Sequence, residues 1–497
     1  MRSIRFTIAK NASANVIRGG ASAVVAIVLP HFLTRSLGVD RFAGWALMLQ
    51  VAAYANYLDF GLQTAVARYL AGALELRDYR RCSQVLSTAV AILSIAGGVA
   101  FLGLGIIAWQ LPHLFRSVPH GLAGEIGIGV AILAVSAAVG LPLSAYSGVL
   151  IAMQRNEFPA ITIGLSRILG AIAVVLTVRH TTSLMWLSAC VGGFNLLGSF
   201  IQYCIAKNLL PDVRFSIDSI LRTTTSELVR YCATLSVWSF SMLLVSGLDV
   251  TIVGLFRFSA TGAYSIATTL ILFFTGLIGA AYSAMLAPLA VLQARNEYSR
   301  ISGLILTTTR LNSYFSIGVI VVTFLFGETL VRTWVGPGYL AVTLPVLKIL
   351  LVAQAIRLVG SAYGTALISL GMQSYGLVSV LIEGFANLIL SLLGVIWFGP
   401  VGVAWATLIA AAIAVTVTIL WVIPQTHEVR IDVRSFVSHG IILPLTCLIP
   451  FLLWLVLRAW YRRTIQIGGE VLPVAIVLLL TTILVYRGVV STQRVKS

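Results

Sequence analysis

Long apolar runs separated by short polar connectors form the main pattern along this chain. No Asp, Glu, Lys or Arg occurs within residues 82–115, 126–154, 258–294 or 384–427. A helix needs about 20 apolar residues to cross the hydrocarbon of a bilayer, so the last run, split at Gly399 and Pro400, holds one whole helix and most of another. The runs lack the alternation of barrel strands, which leaves helices as the means of satisfying the backbone in lipid. The pattern predicts an all-α polytopic membrane protein.

The same criterion, applied to the whole chain, predicts about fourteen transmembrane helices. The predicted spans are 12–36, 43–73, 83–110, 124–152, 158–179, 184–207, 229–256, 261–292, 301–327, 340–370, 374–398, 401–424, 436–459 and 470–488. The basic start resembles a signal peptide, but its apolar segment continues past Arg18 to Leu37, longer than a signal requires and without a convincing cleavage site. We interpret this segment as a retained first helix.

Weak internal repetition predicts that the first twelve spans are two pseudo-repeated six-helix bundles. IAMQRNEF at 151–158 has a counterpart in ISLGMQSY at 368–375, and FAGWAL at 42–47 echoes TGAYSI at 261–266. A polar connector separates the halves, and Thr224 and Glu227 in it have the spacing of a capping box for the next helix. The predicted parts are a bundle at 1–208, a cytoplasmic connector at 209–228, a bundle at 229–425, and two additional helices with a cytoplasmic tail at 426–497.

The charge balance indicates how the chain is oriented in a membrane. The chain is 59% hydrophobic, and 33 Lys and Arg against 16 Asp and Glu give a formal net charge of +17. With the N-terminus inside, the inner segments hold twice as many Lys and Arg as the outer ones, so we expect both termini in the cytoplasm. The same rule, together with contact with anionic lipid, explains the basic balance without nucleic-acid binding.

No cofactor, metal or catalytic motif is visible in the sequence. The five cysteines show no CxxC spacing, the six histidines form no HExxH or HxxxH pair, and there is no GxxxxGK[ST] nucleotide loop. We therefore predict a protein that is not an enzyme. Any energy for its activity would come from an ion gradient or from downstream consumption of its substrate.

Charged residues inside the predicted spans are the strongest functional signal. Such a charge costs roughly 2.5 to 3.5 kcal/mol at the centre of a membrane helix, so it usually faces a polar cavity or a partner. Six basic and three acidic residues have this placement: Arg18, Arg68, Arg167, Arg310, Lys348 and Arg357, with Asp59, Asp249 and Glu383. Snorkelling to the interface is an alternative for the basic residues near helix ends, and interhelical ion pairing is one for Arg167, Arg357 and Glu383.

Two stretches resemble polysaccharide transporters and Wzx-type flippases. The first is LPHFLTRSLGVDRFAGWALMLQVAAYANYLDFGLQTAVAR at 29–68, where Leu37-Gly38, Phe42-Ala43-Gly44 and Asp59-Phe60-Gly61-Leu62 precede Arg68. The step at 42–44 is one residue longer than the usual aromatic-Gly pair. The second stretch, 345–408, contains ALISLGMQSYG and most of FGPVGVAWATLIA, which ends at 410. The resemblance covers most of residues 1–424 and extends to the MOP superfamily, which also contains lipid II flippases and MATE drug antiporters.

The resemblance implies a cargo and a mechanism. The cargo would be an oligosaccharide on an undecaprenyl pyrophosphate carrier, moved across the inner membrane for O-antigen, capsule or exopolysaccharide biosynthesis. Two facing bundles would rock around a site near the bilayer midplane. The implied partners are the lipid-linked oligosaccharide, the bilayer and a polysaccharide polymerase complex, with H⁺ or Na⁺ as an open choice of coupling ion.

These expectations give a role to eight of the nine intramembrane charges, all except Lys348. Arginine suits a pyrophosphate because its planar fork donates two hydrogen bonds at once. The predicted cationic cavity comprises Arg18, Arg68, Arg167, Arg310 and Arg357, and the residues predicted for ion coupling or ion pairing are Asp59, Asp249 and Glu383.

Three placements among these residues are also expected. Arg18 and Arg68 would bind the pyrophosphate on the inner side. Arg167 and Glu383 would face each other or the cargo. Asp59 and Arg68, nine residues apart, would lie on opposite faces of an ideal helix and not neutralise each other.

Two other function classes compete with the flippase. A MATE-like antiporter for cationic drugs would need a cavity dominated by acids, which the census of six basic and three acidic residues does not favour. A membrane scaffold for glycan assembly, without transport, would leave the intramembrane charges unexplained. The flippase is the interpretation that accounts for most of the pattern.

Overall fold

The structure, a computed structural model, describes residues 2–115, 117–426, 429 and 431–453. All regular elements in these residues are helical. Eleven helices in the described residues are long and apolar enough to cross a bilayer. The prediction of an all-α polytopic membrane protein is thereby confirmed.

Some of these helices are long enough to cross the membrane more than once. Two of the eleven, Ala23–Glu75 and Gln373–Gln425, are each 53 residues long, more than twice the roughly 20 residues that one crossing needs. The predicted total of fourteen stays a prediction. The predicted span 470–488 and the end of 436–459 lie outside the described residues.

The chain forms two compact units, residues 1–269 and 270–497. The boundaries predicted from internal repetition, with a connector at 209–228, remain a prediction. The first unit contains α1 (Arg2–Ala53), α2 (Leu62–Glu75), α3 (Tyr79–Leu114), α4 (His120–Ala152), α5 (Glu157–Val178), α6 (Leu184–Leu209), α7 (Arg222–Met242), α8 (Asp249–Phe256) and the start of α9 (Phe258–Ala294). The second contains the rest of α9, α10 (Tyr298–Trp334), α11 (Leu340–Ser369), α12 (Gln373–Val417) and a last described segment, Val433–Leu453.

Glycines with positive φ bend both of the longest helical stretches. In α1 the predicted loop between the first two spans is a kink at Gly38, with φ of 72°. In α12 the kink is at Gly399, with φ of 60° and Pro400 next to it, so the split predicted at this pair is confirmed. Gly394 and Gly402 face each other across this bend, where a Cβ on either would contact the backbone of the other. Small residues therefore allow the two arms of α12 to approach closely.

The second predicted span, 43–73, is wrong as a continuous helix. α1 ends at Ala53, a 3-10 turn occupies Tyr54–Asp59, and α2 begins only at Leu62. Phe60 and Gly61, with φ of 52° and 73°, adopt left-handed backbone between the two helices. A left-handed residue cannot continue a right-handed helix, so the chain breaks inside an apolar stretch.

Polar contacts join segments that were predicted to lie on the outer side of the membrane. Arg41 donates to the Thr182 carbonyl at 2.6 Å and lies 3.4 Å from a Glu125 carboxylate oxygen. Glu125 also accepts the Leu184 backbone N–H at 2.7 Å. The ion pair therefore joins the α1 kink to the start of α4, and the hydrogen bond from Leu184 joins Glu125 to the start of α6.

Candidate functional site

A polar cavity of about 530 Å³ lies within the first unit, bordered by α1, the 3-10 turn, α2, α4, α5 and α6. This volume falls in the range of roughly 300 to 1,000 Å³ that is usual for ligand pockets. Two of the predicted site residues, Asp59 and Arg167, line it together. Its other polar lining residues are the amides Asn56, Gln63, Asn195 and Gln202 and the serines Ser136, Ser144, Ser166 and Ser199. The cavity is rich in neutral hydrogen-bonding groups and contains one charge of each sign.

The break between α1 and α2 places Asp59 at this cavity. Irregular backbone at membrane depth is tolerated where it is buried in protein or lines a cavity, and the 3-10 turn at 54–59 does line it. A Cβ on Gly61 would lie 2.7 Å from a Leu235 side-chain carbon. Glycine therefore serves both the left-handed backbone and the close approach of α7 at this break.

The Asp59 carboxylate is only partly satisfied by the protein. Ser144 and the backbone N–H of Gln63 are its hydrogen-bonding neighbours, yet its Oδ1 is buried without a hydrogen-bond partner among the described residues. A carboxylate oxygen accepts two or more hydrogen bonds when ionised, and a buried acceptor without one is costly. Asp59 is therefore arranged to accept a proton, a cation or a donor group from a ligand.

Arg167 supplies the positive charge of the cavity. It lies on α5 next to Ser166, and its side chain is exposed from the packed helices. Neighbouring polar groups are fixed by their own bonds: the Ser136 hydroxyl donates to the Gly192 carbonyl at 2.9 Å, and Gln63 bonds to Ser147. The guanidinium of Arg167 therefore adds a positive charge to a lining of amides and hydroxyls.

Asp249 belongs to a second, closed polar cluster in the first unit. It begins α8 directly after a π-helical turn at Leu243–Gly247, and only 3% of it is exposed. The Tyr264 hydroxyl lies 3.4 Å from its Oδ2. Near it, Tyr54 bonds to Thr251. This acid lies beside the Tyr264 hydroxyl of α9 and does not line the cavity of Asp59.

Arg68 also lies apart from the cavity. Its guanidinium carbon is 5.1 Å from the centre of the Tyr231 ring on α7, in a cation–π contact, and the residue is exposed. Arg68 and Asp59 form no ion pair among the described residues, in agreement with the sequence analysis. The reason is different, however, because the helix between them is broken at Phe60 and Gly61.

The predicted residues of the second unit are arranged as an ion pair. Arg357 Nε donates to Glu383 Oε1 at 2.7 Å, joining α11 to α12, and Arg357 Nη1 donates to Gln354 Oε1 at 3.0 Å. Glu383 is 5% exposed. The interhelical ion pairing considered as an alternative is thus what these two residues show, and the facing of Arg167 and Glu383 stays a prediction.

Two further predicted residues lie on α10 and α11. Arg310 is half-buried on α10, and the Lys348 ammonium is 4.8 Å from the centre of the Phe324 ring, linking α11 to α10. Arg18 lies on α1, and its side chain is outside the described part of the structure. The predicted set of cations therefore divides among several environments, and only Arg167 lines the cavity with an acid.

Comparison with solved structures identifies the fold. No family model matches the chain. It is similar to a multidrug resistance MATE family transporter in an inward-facing conformation, at a TM-score of 0.66 and 14% identity over 85% of this chain and 99% of the other. It is similar to the lipid II flippase MurJ, at a TM-score of 0.62 and 15% identity over 93% of this chain and 98% of the other. The chain has the fold of the MOP superfamily. The expectation of this fold from sequence is confirmed, and the neighbours that show it are transporters.

Two weaker similarities complete the comparison. A MOP superfamily transporter from Pyrococcus furiosus, described as having a binding pocket of reverse polarity, matches at a TM-score of 0.52 and 14% identity, over 82% of this chain and 96% of that one. The uncharacterized membrane protein EpsK of Bacillus subtilis is 21% identical over 266 residues. The matched region spans 53% of this chain and about half, 52%, of EpsK.

One contact of this MOP-fold chain was missed from sequence. Arg81, at the start of α3, donates from Nη1 to the Thr224 hydroxyl at 2.7 Å and bonds to the Glu227 carboxylate. The predicted capping box is therefore wrong: α7 begins earlier, at Arg222, with Leu221 as its N-cap. Thr224 and Glu227 bind an arginine more than 140 positions away in the chain, a contact that no local spacing indicates.

Proposed function

We propose that the protein moves an undecaprenyl-pyrophosphate-linked oligosaccharide from the cytoplasmic to the outer leaflet, for the biosynthesis of a surface polysaccharide. The observation that supports this best is the lining of the cavity in the first unit. Four amides and four serines line a space of about 530 Å³. The amides offer donors and acceptors, and the serine hydroxyls, which donate to backbone carbonyls, offer acceptors; such groups match the hydroxyls of a sugar. Arg167 adds a cation suited to a phosphate oxygen.

The remaining basic residues have a place in the same proposal. Arg68 is exposed near the predicted cytoplasmic end of α2, where it could meet a pyrophosphate before the cargo enters. Arg18, Arg310 and Arg357 stay in the proposed cationic path, the role predicted for them from sequence. For Arg357 the ion pair with Glu383 means that cargo would have to compete with a carboxylate, so we assign it a smaller share of binding.

A cation-coupled antiporter is the second candidate, and Asp59 is the observation that favours it. A buried carboxylate oxygen with no hydrogen-bond partner in the described part of the chain is suited to a proton or Na⁺ as well as to a sugar hydroxyl. The same residue could couple a flippase to an ion gradient. Transport that is insensitive both to Na⁺ and to collapse of the proton gradient would remove the ion-coupling role from Asp59.

Location and orientation are part of this proposal. We place the chain in the inner membrane with both termini in the cytoplasm and with a polymerase complex as its partner. Cysteine labelling from either side of the membrane tests the orientation: a cysteine placed at Ser219 in the connector should react only from inside, and one placed at Thr181 only from outside.

Mass spectrometry of lipid extracts tests the proposed cargo. A strain lacking the gene should accumulate a complete, unpolymerised repeat unit on undecaprenyl pyrophosphate and lose its surface glycan. Wild type and Arg179→Ala should restore export, whereas Arg167→Ala should not; Arg179 caps the same helix outside the cavity. Absence of accumulation, together with a changed resistance to cationic dyes, would contradict the flippase and favour the antiporter.

A further inference from the structure

A second and smaller cavity, of about 330 Å³, lies where α4 and α6 end in the first unit. Tyr146 comes from α4, Tyr203 and Lys207 come from the last turns of α6, and Arg214 and Phe215 come from the connector that follows. It shares no lining residue with the cavity of Asp59 and Arg167. None of its residues has a role in the transport mechanism proposed above.

Two cations at this cavity are not neutralised by an acid. The Lys207 ammonium is 5.8 Å from the centre of the Tyr203 ring, and Arg214 Nε donates to the Pro211 carbonyl at 3.1 Å. Neither residue forms an ion pair within the described ranges. Asp212, the nearest acid in the chain, does not line the cavity. Two exposed positive charges therefore border one concave site, with donors left to bind an anion.

The walls below these charges are apolar. Leu86, Val149, Leu210 and Val213 line the cavity and are buried, and Tyr146 packs edge-on against Tyr203 with ring centres 4.8 Å apart. A free inorganic anion would gain little from such walls. A molecule with an anionic head and an adjoining hydrocarbon chain would contact both parts of the site.

The connector is fixed in place at this cavity. The backbone N–H groups of Arg214 and Ser216 donate to the hydroxyls of Ser83 at 3.3 Å and Ser87 at 3.0 Å on α3. These bonds hold residues 214–216 against the beginning of α3, so the position of the Arg214 backbone does not depend on a ligand. A preformed site loses less entropy on binding than a mobile one.

The predicted position of the cavity, on the cytoplasmic side of the membrane, suits a ligand with an anionic head and a hydrocarbon chain. The beginning of α3, the end of α6 and the connector are all predicted to be cytoplasmic from the distribution of Lys and Arg. Basic pockets between transmembrane helices on that side are suited to anionic lipid headgroups. The lipid surface is also within reach, since Phe215 and Lys207 are exposed.

We propose that this cavity binds one anionic phospholipid of the inner leaflet, with its phosphate held between Lys207 and Arg214 and its acyl chain along the apolar wall. The lipid would join the end of α6 to the connector. The proposal does not depend on what the protein transports.

Lipid binding by the purified full-length protein tests this directly. Native mass spectrometry and thermal unfolding in detergent would compare added phosphatidylglycerol with added phosphatidylcholine. We expect wild type to retain one phosphatidylglycerol and to show a rise in Tm of roughly 3 °C. K207Q/R214Q should lose both the bound lipid and the rise, while phosphatidylcholine should change neither protein.

A matched control variant distinguishes lipid binding at this cavity from a general attraction of anionic lipid to positive charge. R222Q/R230Q removes two exposed positive charges from nearby α7, outside the cavity, and should keep the bound lipid and the rise in Tm. The proposal is overturned if both double variants lose the effect equally, if wild type shows no preference for phosphatidylglycerol, or if inorganic phosphate alone reproduces the rise.

Discussion

The two units arrange their intramembrane charges in different ways. In the first, Asp59 and Arg167 line an open polar cavity together with amides and serines, and one oxygen of Asp59 has no hydrogen-bond partner among the described residues. In the second, Arg357 and Glu383 bind each other at 2.7 Å between α11 and α12. Asp59 and Arg167 thus border a space that a ligand can enter, whereas Arg357 and Glu383 hold two helices together.

This difference shows why a list of buried charges does not define a site. Each of these charged residues costs free energy in an apolar environment. The interactions that offset this cost differ between the two units. An ion pair compensates the cost permanently and contributes to the fold. A cavity leaves part of the cost to be offset by a ligand, and this is the arrangement expected of a transport site.

The largest expected effect comes from breaking the ion pair of the second unit. Arg357→Ala leaves the Glu383 carboxylate, 5% exposed, without its cation, and such losses cost about 3 to 5 kcal/mol. R357M/E383L replaces both charges with apolar side chains and should be close to neutral or stabilising. Thermal unfolding in detergent measures both. Equal destabilisation by the single and double variants would contradict this expectation, because it would show that apolar side chains cannot replace the ion pair.

Packing behind the cavity should give the next effect. A Cβ on Gly148 of α4 would lie 2.8 Å from the Gln63 carbonyl and 2.9 Å from the Val66 Cβ on α2, so Gly148→Ala must displace α2. Overpacking of this kind costs roughly 1 to 3 kcal/mol. Gly98→Ala on α3 meets no atom within 4 Å and should not destabilise the protein. Thermal unfolding of the two variants, side by side, would refute this account if Gly148→Ala were as stable as Gly98→Ala.

Asp59→Asn should affect transport more than stability. The substitution keeps the shape but removes the charge that a ligand or coupling ion would meet, and we expect export to fall roughly tenfold, equivalent to about 1.4 kcal/mol. Asp40→Asn removes an exposed carboxylate at the α1 kink and should leave export unchanged. Export is measured as surface glycan per cell at equal amounts of protein. Full export by Asp59→Asn would make its carboxylate dispensable.

The smallest effect should follow from Arg81→Gln. Its contact with Glu227 is partly exposed, at 29% and 47% for the two side chains, so solvent screening limits its contribution to about 1 kcal/mol or less. Arg80→Gln removes the neighbouring exposed charge and serves as its control. Thermal unfolding measures the stability of both variants. If Arg81→Gln lost several times more stability than this, the contact would have a greater role in holding α7 to α3.

Sequence patterns predicted the helices well and the breaks unevenly. The kink at Gly399 was visible because glycine and proline interrupt an otherwise uniform run. The break at Phe60 and Gly61 was not, since a left-handed phenylalanine leaves the apolar pattern intact. This break is what places Asp59 at the cavity, so the most consequential local feature had the weakest sequence signal.

Long-range polar contacts were predicted as residue types but not as pairs. Arg357 and Glu383 were both identified, yet their pairing depends on how α11 and α12 pack, which sequence periodicity does not determine. Thr224 and Glu227 were assigned to a local cap because their spacing fits one, but Arg81 binds both. A side chain takes the partner that tertiary packing brings near it.

Export by Arg167→Ala and by R357M/E383L, measured in the same deletion strain, tests the contrast between the units most directly. The readout is the ratio of unflipped lipid-linked repeat unit to surface glycan, at equal amounts of protein in the membrane. We predict that Arg167→Ala accumulates the repeat unit as the deletion does, and that R357M/E383L keeps most of its export, because Arg357 is assigned only a small share of cargo binding. Normal export by Arg167→Ala, with accumulation in R357M/E383L, would contradict the account and place the cargo in the second unit.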